Sequence, residues 1–430
     1  MTCIETPIGL PADLVAEPPE PEVVRNATPI NEACVGSTDR SRLPSDVDKS
    51  SLPVSDLSKA EVDAKVESAP PPLPPVIDIN DLEWNGLGKL VKAGDIRARI
   101  ESTVSQMEKL LCKPGGAEML FDAYRSSPED RAIQVADAGE TPLWFVGDLH
   151  GDLLALEAAL ALIHSHPQYG TRKSRIVFLG DLFDDEGFGL EVLLRIFELI
   201  VAEPATICLI AGNHDEALGH DGNQFTSTVS PSDFSEFLNR NQADQWFTRA
   251  GKLAIRLFDN APRALFFPDG LLVAHGGFPL TDLHARLAET GDWNSSSCLS
   301  DFVWARAHPT ARKKIPNRFT RGSQFGHEDF ANFCLVASSL GRSVTHMVRG
   351  HDHVEERYFF YPAYKAYPIL TTVGLSRRLS RESVGTYERV PTAALYTKNS
   401  LPQVFRLKIP CDLVREIYPE TLDAEIDGSQ

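Results

Sequence analysis

The stretch WFVGDLHGD, Trp144–Asp152, begins as an apolar β-strand and ends in charged side chains. Its first residues are aromatic and β-branched, which suits a buried strand. Asp148, His150 and Asp152 follow at once, separated by small or apolar residues. Because desolvating a carboxylate is costly unless it is paired or binds an ion, the stretch predicts a strand that ends at a charged site.

Short apolar segments alternate with helical patterns on the C-terminal side of this stretch. LWFVG precedes a predicted helix over residues 153–164, RIVFLG precedes one over residues 190–201, and TICLIAG follows. This alternation is typical of βαβ units in an α/β fold. Later strands are predicted in RALFF, GLLVAHGG, THMVRGH, AYPILTTV and PQVFRLKI, with adjacent strands antiparallel. We therefore expect two packed mixed β-sheets flanked by helices.

Other predicted strands also end in polar residues. The motifs are GDLFDDEG with Asp181 and Asp184, GNHD with Asn213 and His214, HGG with His275, and RGHDH with His351 and His353. Ligands of open α/β sheets bind beyond the carboxyl ends of the strands, so these side chains are expected to meet. Carboxylate, imidazole and amide groups are suitable ligands for Mn, Fe or Zn. They differ from the thiolate ligands that line most structural zinc sites.

The ordered motifs GDLHG, GDLFDD, GNHD, HGG and RGHDH resemble the calcineurin-like metallophosphoesterase superfamily, and specifically its phosphoprotein (Ser/Thr) phosphatase branch. The resemblance covers roughly residues 143–373. It implies a metallophosphoesterase-like β-sandwich core and hydrolysis of phosphate monoesters by direct attack of a metal-bridging hydroxide.

The resemblance also implies roles for individual residues. His214 would be the general acid that protonates the leaving oxygen, and Asp184 would orient it. Two divalent metal ions, Mn, Fe or Zn, would be the cofactors. The implied metal ligands are Asp148, His150, Asp181, Asn213, His275, His351 and His353.

One position departs from the pattern of that branch. The branch usually reads GDxxDRG, with an arginine that holds the phosphate, whereas Asp185 occupies that place here. A carboxylate cannot make that contact. The segment between Phe302 and His327 contains arginines and lysines but no acid, and Arg321 in its RGSQFG ending resembles a second phosphate arginine of the family. Arg349 is a further candidate for phosphate binding.

Composition changes along the chain predict four regions. Residues 1–76 form a Pro-rich acidic tail with too little apolar surface to fold, and we expect it to be disordered. Its SAPPPLPPV segment also allows docking to a polyproline-binding partner. Residues 77–140 are expected to be a helical N-terminal extension packed on the core, residues 141–410 the catalytic domain, and residues 411–430 a short acidic tail.

Charge and hydropathy exclude some partners. The 430-residue chain carries a formal net charge of −18, which opposes general binding to nucleic acid or to anionic membranes. The sequence also shows neither a secretory signal nor an apolar run of membrane-spanning length. The seven scattered cysteines do not indicate a disulfide framework. A cytoplasmic enzyme is therefore expected.

Three functions remain open from sequence. The first is a serine/threonine protein phosphatase-like enzyme acting on phosphorylated protein. The second is a hydrolase of small phosphates of the same fold, such as a nucleotide or a dinucleoside polyphosphate, which Asp185 keeps open. The third is a non-catalytic phosphate-binding scaffold that docks through the tail.

Overall fold

The computed structural model describes residues 73–82, 96–137, 139, 141–166, 174–185, 187–317, 321–377 and 390–418. Of the predicted terminal tails, residues 1–72 and 419–430 lie outside these ranges. The strands are β1 (Val76–Asp78), β2 (Ala132–Gln134), β3 (Leu143–Val146), β4 (Arg175–Phe178), β5 (Ile207–Leu209), β6 (Leu218–His220), β7 (Phe225–Ser227), β8 (Ala264–Phe266), β9 (Leu271–Ala274), β10 (Arg306–Ala307), β11 (Ile315–Pro316), β12 (Ser323–Phe325), β13 (His346–Arg349), β14 (Tyr358–Phe360), β15 (Ile369–Thr372), β16 (Thr392–Tyr396) and β17 (Gln403–Lys408). The α-helices are α1 (Ile96–Leu111), α2 (Leu153–Ser165), α3 (Gly189–Ala202), α4 (Asn213–Ala217), α5 (Asp233–Arg240), α6 (Gln245–Asp259), α7 (Thr281–Thr290), α8 (Ser296–Trp304), α9 (His327–Ser339) and α10 (Cys411–Ile417).

Two mixed six-stranded sheets form the centre of the fold. One has the strand order β1-β17-β16-β3-β4-β5, and the other has the order β14-β15-β13-β9-β8-β2. In the first sheet, β3, β4 and β5 are parallel, and β16 is antiparallel to β3. The predicted α/β class with two mixed sheets is confirmed. The expectation that adjacent later strands run antiparallel is wrong for β9, β13 and β15, which are parallel neighbours.

Alternating side chains along each central strand explain how the sheets pack. In β3, Leu143 and Phe145 belong to the apolar core between the sheets, whereas Trp144 and Val146 belong to the core under the helices α2 and α3. Strand β9 divides its side chains in the same way. Because both faces are covered, the strands are apolar throughout, and each fully buried large side chain contributes about 1.5–3 kcal/mol to folding.

The region from residue 77 to residue 140 contributes to both sheets as well as to the helical layer. Strands β1 and β2 add an edge strand to each sheet. Helix α1 is held by Arg99, whose guanidinium donates to Glu198 of α3 at 2.6 and 3.1 Å, and by Glu108, which accepts from Arg249 of α6 at 2.7 Å. The boundaries at residues 77, 141 and 411 remain predictions.

The last described helix, α10, connects the C-terminal region to the core. Tyr418 directly after it is fully buried, and its hydroxyl donates to Asp152 Oδ1 at 2.9 Å. The same carboxylate oxygen accepts from Ala155 N at 2.9 Å and so caps the N-terminus of α2. Asp152, the last residue of WFVGDLHGD, therefore supports the loop between β3 and α2.

A helix that crosses a bilayer must be long and almost entirely apolar. Within the described ranges, none of the helices combines these two properties. The cytoplasmic location remains a prediction.

Candidate metal centre

The predicted polar strand ends meet at one edge of the two sheets. Asp148 follows β3, Asp181 lies shortly after β4, and Asn213 begins α4 after β5. From the second sheet, His275 follows β9 directly, and His351 follows β13 after one glycine. The name strand-end cluster is used below for the predicted metal ligands Asp148, His150, Asp181, Asn213, His275, His351 and His353.

Glycines allow the chain segments to approach each other closely. A Cβ atom on Gly212 would lie 2.1 Å from Asp181 Oδ1, and one on Gly350 would lie 2.2 Å from Asp148 Oδ1. Both distances are well below van der Waals contact, so any larger residue would displace a carboxylate of the cluster. The glycines of GNHD and RGHDH therefore have a defined steric role.

Several cluster residues adopt the left-handed backbone conformation. The φ angles are 42° for His150, 52° for Asp181 and 69° for His351. Such conformations cost on the order of 1 kcal/mol or more for residues with a Cβ and persist where the surroundings impose them. This concentration of strained residues at one sheet edge is characteristic of a functional site.

Asp148, His150 and His353 form the first group of the cluster. The Nε2 atoms of His150 and His353 are 3.2 Å apart, and His353 Nε2 lies 3.1 Å from Asp148 Oδ2. Asp148 is fully buried, His150 nearly so, and the His353 side chain is 23% exposed. These three residues each offer a ligand atom within 4.8 Å of the others, which fits a metal ion.

Asp181, Asn213, His275 and His351 form the second group. His275 Nδ1 donates to the Leu179 carbonyl at 2.8 Å, which leaves Nε2 with a lone pair in the neutral ring. That Nε2 atom lies 3.0 Å from His351 Nδ1, 3.1 Å from Asn213 Oδ1 and 3.3 Å from Asp181 Oδ2. One proton could satisfy only one of these contacts, whereas a cation would suit all of the facing lone pairs, so the residues fit a divalent metal.

The pKa shifts of Asp181 and His351 suit cation binding, whereas in the metal-free site burial is outweighed by nearby carboxylates, which raise the pKa values of His150 and His275. Burial raises the pKa of Asp181, but the imidazoles of His275 and His214 outweigh this effect and hold the pKa well below its ordinary value. Burial, together with the charges of Arg306 and His275, holds the pKa of His351 well below its ordinary value. An ionised carboxylate beside a neutral imidazole is the form in which both residues bind metal.

His214 and Asp184 form a carboxylate–imidazole pair beside the cluster. His214 Nδ1 lies 2.9 Å from Asp184 Oδ2, and the backbone N–H of His214 donates to Asp181 Oδ1 at 2.9 Å. Burial would lower the pKa of His214, but the charges of Asp181 and Asp184 outweigh it and raise that pKa to about 9. A protonated imidazole held in this way can act as a proton donor.

Asp185 contacts the cluster, a role that sequence reasoning missed. Its Oδ2 atom lies 3.0 Å from His150 Nδ1, and its side chain is only 9% exposed. Burial raises the pKa of Asp185, but the close approach of the His150 imidazole outweighs burial and lowers that pKa to about 2. The sequence signal for this contact was the second aspartate of GDLFDD, which directly follows the predicted site residue Asp184.

Asp215 is a second residue that sequence reasoning missed, although it directly follows the predicted Asn213 and His214. Its carboxylate accepts from the backbone N–H groups of Asp181, Leu182 and Gly212 at 2.7, 3.0 and 2.9 Å. Burial and the charge of Asp181 raise its pKa to about 6. Asp215 thus joins the GDLFDD loop to the GNHD loop and fixes the position of Asp181.

Arg349 does not have the environment expected of a phosphate ligand. It is fully buried, and its guanidinium donates to the Gly276 carbonyl, to Asp352 and to Thr371 Oγ1, the last at 3.1 Å. These internal bonds leave it no open side toward a substrate. We therefore correct the expectation for Arg349: its contacts assign it to the support of the loop that carries His351.

Arg321 lies on the surface, where its guanidinium stacks over the Trp304 ring at 4.6 Å. Acids from elsewhere in the chain pair with other cations of the same basic segment. Arg312 pairs with Glu328, Lys314 pairs with Asp282 at 3.0 Å, and Arg306 pairs with Asp352 at 3.0 Å. The segment is therefore less basic in the fold than in the sequence, and phosphate binding by Arg321 remains a prediction.

The geometry defines a class of protein: an α/β sandwich with a buried Asp/His/Asn centre suited to divalent metals at the strand ends. Residues 141–355, half of the chain, match the calcineurin-like phosphoesterase family. The chain belongs to that family, which confirms the resemblance read from the motifs.

A comparison with curated proteins finds a more specific similarity over a short segment. Over 76 residues the chain is 38% identical to the serine/threonine-protein phosphatase 4 catalytic subunit of Candida glabrata. The match spans 18% of this chain and 23% of that relative, so the chain matches less than a quarter of the relative's length.

Solved structures of phosphatases are also similar. A protein serine/threonine phosphatase from Saccharomyces cerevisiae aligns with a TM-score of 0.47 at 15% identity, covering 73% of this chain and 90% of that one. A cold-active protein-tyrosine phosphatase from a psychrophilic Shewanella species aligns with a TM-score of 0.38 at 15% identity, covering 64% and 80%.

Proposed function

We propose that this chain is a metal-dependent phosphoesterase that hydrolyses phosphate monoesters on serine or threonine side chains. The observation that carries the proposal is the convergence of the strand-end cluster, in which lone pairs from five separate strand ends face one another within hydrogen-bonding distance. The similarity of a 76-residue segment to a serine/threonine phosphatase catalytic subunit supports the choice of substrate.

The proposed metal site holds two divalent ions, Mn, Fe or Zn. Asp148 and His150 would hold one ion with His353 beside them, Asn213, His275 and His351 would hold the other, and Asp181 would contribute to both. When bound, such ions neutralise phosphoryl oxygens and make water a stronger nucleophile at neutral pH. In this proposal water attacks phosphorus directly, and no side chain forms a covalent bond with the phosphoryl group.

The leaving alkoxide needs a proton, and His214 is the proposed donor. Asp184 Oδ2 accepts from His214 Nδ1, which fixes the ring and leaves Nε2 as the nitrogen that can deliver a proton. The Phe234 N–H at the start of α5 donates to Asp184 Oδ1 at 3.0 Å and holds the carboxylate in turn. These hydrogen bonds hold the pair in one orientation, which favours proton transfer to a correctly placed substrate.

A substrate panel tests the proposed function. The full chain, dialysed against Mn²⁺, is assayed for phosphate release from phosphoserine and phosphothreonine peptides and, separately, for cleavage of dinucleoside polyphosphates. We expect metal-dependent turnover of the peptides that a chelator abolishes.

The panel also separates the alternatives. Turnover of the small phosphates alone would replace the protein-phosphatase assignment with a small-molecule hydrolase, an alternative that stays open because Asp185 occupies the position of the arginine that usually holds the phosphate. Absence of turnover with every ester, in protein that retains its metal, would overturn the catalytic proposal and favour a phosphate-binding scaffold.

A further inference from the structure

Consecutive carboxylates in the GDLFDD turn each contact a different histidine. Asp184 Oδ2 lies 2.9 Å from His214 Nδ1, and Asp185 Oδ2 lies 3.0 Å from His150 Nδ1. The two imidazole rings meet edge to face with their centroids 4.9 Å apart. The turn thus presents two carboxylate–imidazole pairs to the same site, and only the Asp184 pair has a proposed catalytic role.

Both aspartates adopt the left-handed conformation, with φ angles of 75° and 63°. Aspartate tolerates this region better than most residues with a Cβ, but successive residues there still carry a conformational cost. The cost indicates that the surrounding structure holds the turn in place.

Backbone contacts fix the Asp185 carboxylate in its position. The N–H of Asp185 donates to Asp233 Oδ1 at 2.9 Å, and its carbonyl accepts from the Arg377 guanidinium. The same Arg377 Nη2 donates to the His150 carbonyl at 2.8 Å, and Arg377 is only 3% exposed. One buried arginine therefore joins the backbones of Asp185 and His150, so their side-chain contact is built into the fold.

We propose that Asp185 is a positioning residue for His150 in the metal centre. The negative charge of the Asp185 carboxylate, 3.0 Å from Nδ1, favours the tautomer in which Nδ1 carries the proton and Nε2 carries the lone pair. That Nε2 atom faces the cluster, 3.2 Å from His353 Nε2 and 3.6 Å from Asp181 Oδ2. Carboxylate partners of this kind orient a ligating histidine and strengthen it as a ligand.

The inference rests on the proposed metal centre and gives Asp185 a function of its own. At this position the phosphoprotein phosphatase branch has an arginine that holds the substrate phosphate. This chain has a carboxylate there, and it contacts the proposed metal ligand His150 instead. The exchange removes a contact to phosphate and adds one that favours metal binding. Metal affinity, rather than substrate affinity, is then the property that Asp185 controls.

The test measures Mn²⁺ binding to the full chain by isothermal titration calorimetry, for wild type, Asp185→Asn and Asp185→Glu. Loss of an outer carboxylate partner of a ligating histidine weakens metal binding roughly 10–100-fold, and we expect a loss of this size for Asp185→Asn. Asp185→Glu, which keeps a carboxylate, should recover part of it. Asp259→Asn, which changes an exposed carboxylate at the end of α6, serves as the matched control and should bind Mn²⁺ as wild type does.

Asp185→Asn with wild-type Mn²⁺ affinity would overturn the inference. If Asp185→Asn fails to fold, the inference can still be tested on wild type. Nitrogen NMR of Zn²⁺-loaded protein with labelled histidines shows which ring nitrogen of His150 carries the proton. The expected signature is a protonated Nδ1 on His150, and a protonated Nε2 would overturn the inference equally.

Binding and hydrolysis are separate readouts in this design. A wild-type chain that binds no Mn²⁺ would overturn both the metal centre and the inference that rests on it. A chain that binds Mn²⁺ but hydrolyses no ester would overturn the proposed function, while the comparison with Asp185→Asn would still decide the role of Asp185.

Discussion

Asp181→Asn is expected to lower both metal affinity and phosphate release by more than roughly 100-fold. Loss of a residue that only supports a metal ligand already weakens metal binding by roughly 10–100-fold, and Asp181 is assigned as a ligand itself. Asp181 lies at the centre of the strand-end cluster, with Oδ2 3.3 Å from His275 Nε2 and 3.6 Å from His150 Nε2. Asparagine keeps the shape and the Oδ1 acceptor that receives the His214 N–H. The substitution therefore removes the negative charge that a divalent ion needs and leaves the backbone contacts in place.

The same variant makes a distinct prediction about stability. In the metal-free chain at neutral pH, Asp181→Asn should unfold at a lower temperature than wild type, because the neighbouring imidazoles hold the pKa of Asp181 well below its ordinary value and the fold therefore favours the ionised carboxylate. Mn²⁺ should raise the unfolding temperature of wild type more than that of the variant, because a ligand that binds only the folded chain stabilises it by an amount that grows with its affinity. Thermal unfolding with a chelator and with Mn²⁺ measures the two effects, Asp259→Asn is the control, and an equal rise with Mn²⁺ in wild type and variant would contradict the assignment of Asp181 as a metal ligand.

His214→Asn is expected to reduce turnover by on the order of 100-fold or more, as loss of a general acid does. Metal content should stay at the wild-type value, because His214 is assigned to proton donation and not to the ligand set. The contact between Asp184 and His214 Nδ1 and the elevated pKa of about 9 both favour the protonated ring that donates to a leaving alkoxide. Steady-state assays with a phosphopeptide, together with elemental analysis, measure the two quantities.

The leaving group provides a sharper form of this test. An ester whose leaving group is already acidic needs little protonation, so His214→Asn should lose far less turnover with p-nitrophenyl phosphate than with a phosphoserine peptide. His164→Asn, an exposed histidine at the end of α2, makes the same chemical change away from the site and should leave both rates unchanged. Equal losses with both esters would contradict the role of His214 as general acid.

Strand patterning accounts for what the sequence predicted well. β3, β5 and all but the first residue of β4 are apolar because both faces of these strands are covered, and each apolar run ends at a glycine followed by a polar residue. Such a pattern is local, so it can be read without knowing the fold. The ligands at Asp148, Asp181 and Asn213 follow from it directly.

Roles that depend on distant partners could not be read in this way. Arg349 looks like a free cation in the sequence, and only the fold brings Asp352, Thr371 and the Gly276 carbonyl around its guanidinium. Asp185 looks like a lost phosphate contact until His150, 35 positions earlier, is placed 3.0 Å from it. In both cases the decisive contact joins segments whose spacing in sequence carries no periodic signal.

Strand β16 was missed for a related reason. Its sequence TAALY is rich in alanine, which is depleted in strands, yet its residues are buried and pair with β3 on one side and β17 on the other. The small side chains of Ala393 and Ala394 belong to two different cores, one on each face of the sheet. Tertiary packing therefore outweighs the intrinsic preference of the residues.

Elemental analysis of the purified full-length chain, dialysed against Mn²⁺ and then against metal-free buffer, tests the central claim most directly. If the strand-end cluster is a two-metal site, wild type retains about two Mn per chain, as enzymes with paired metals do, and Asp181→Asn retains far less. A wild-type chain that retains no metal, or an Asp181→Asn chain that retains as much as wild type, would contradict the account.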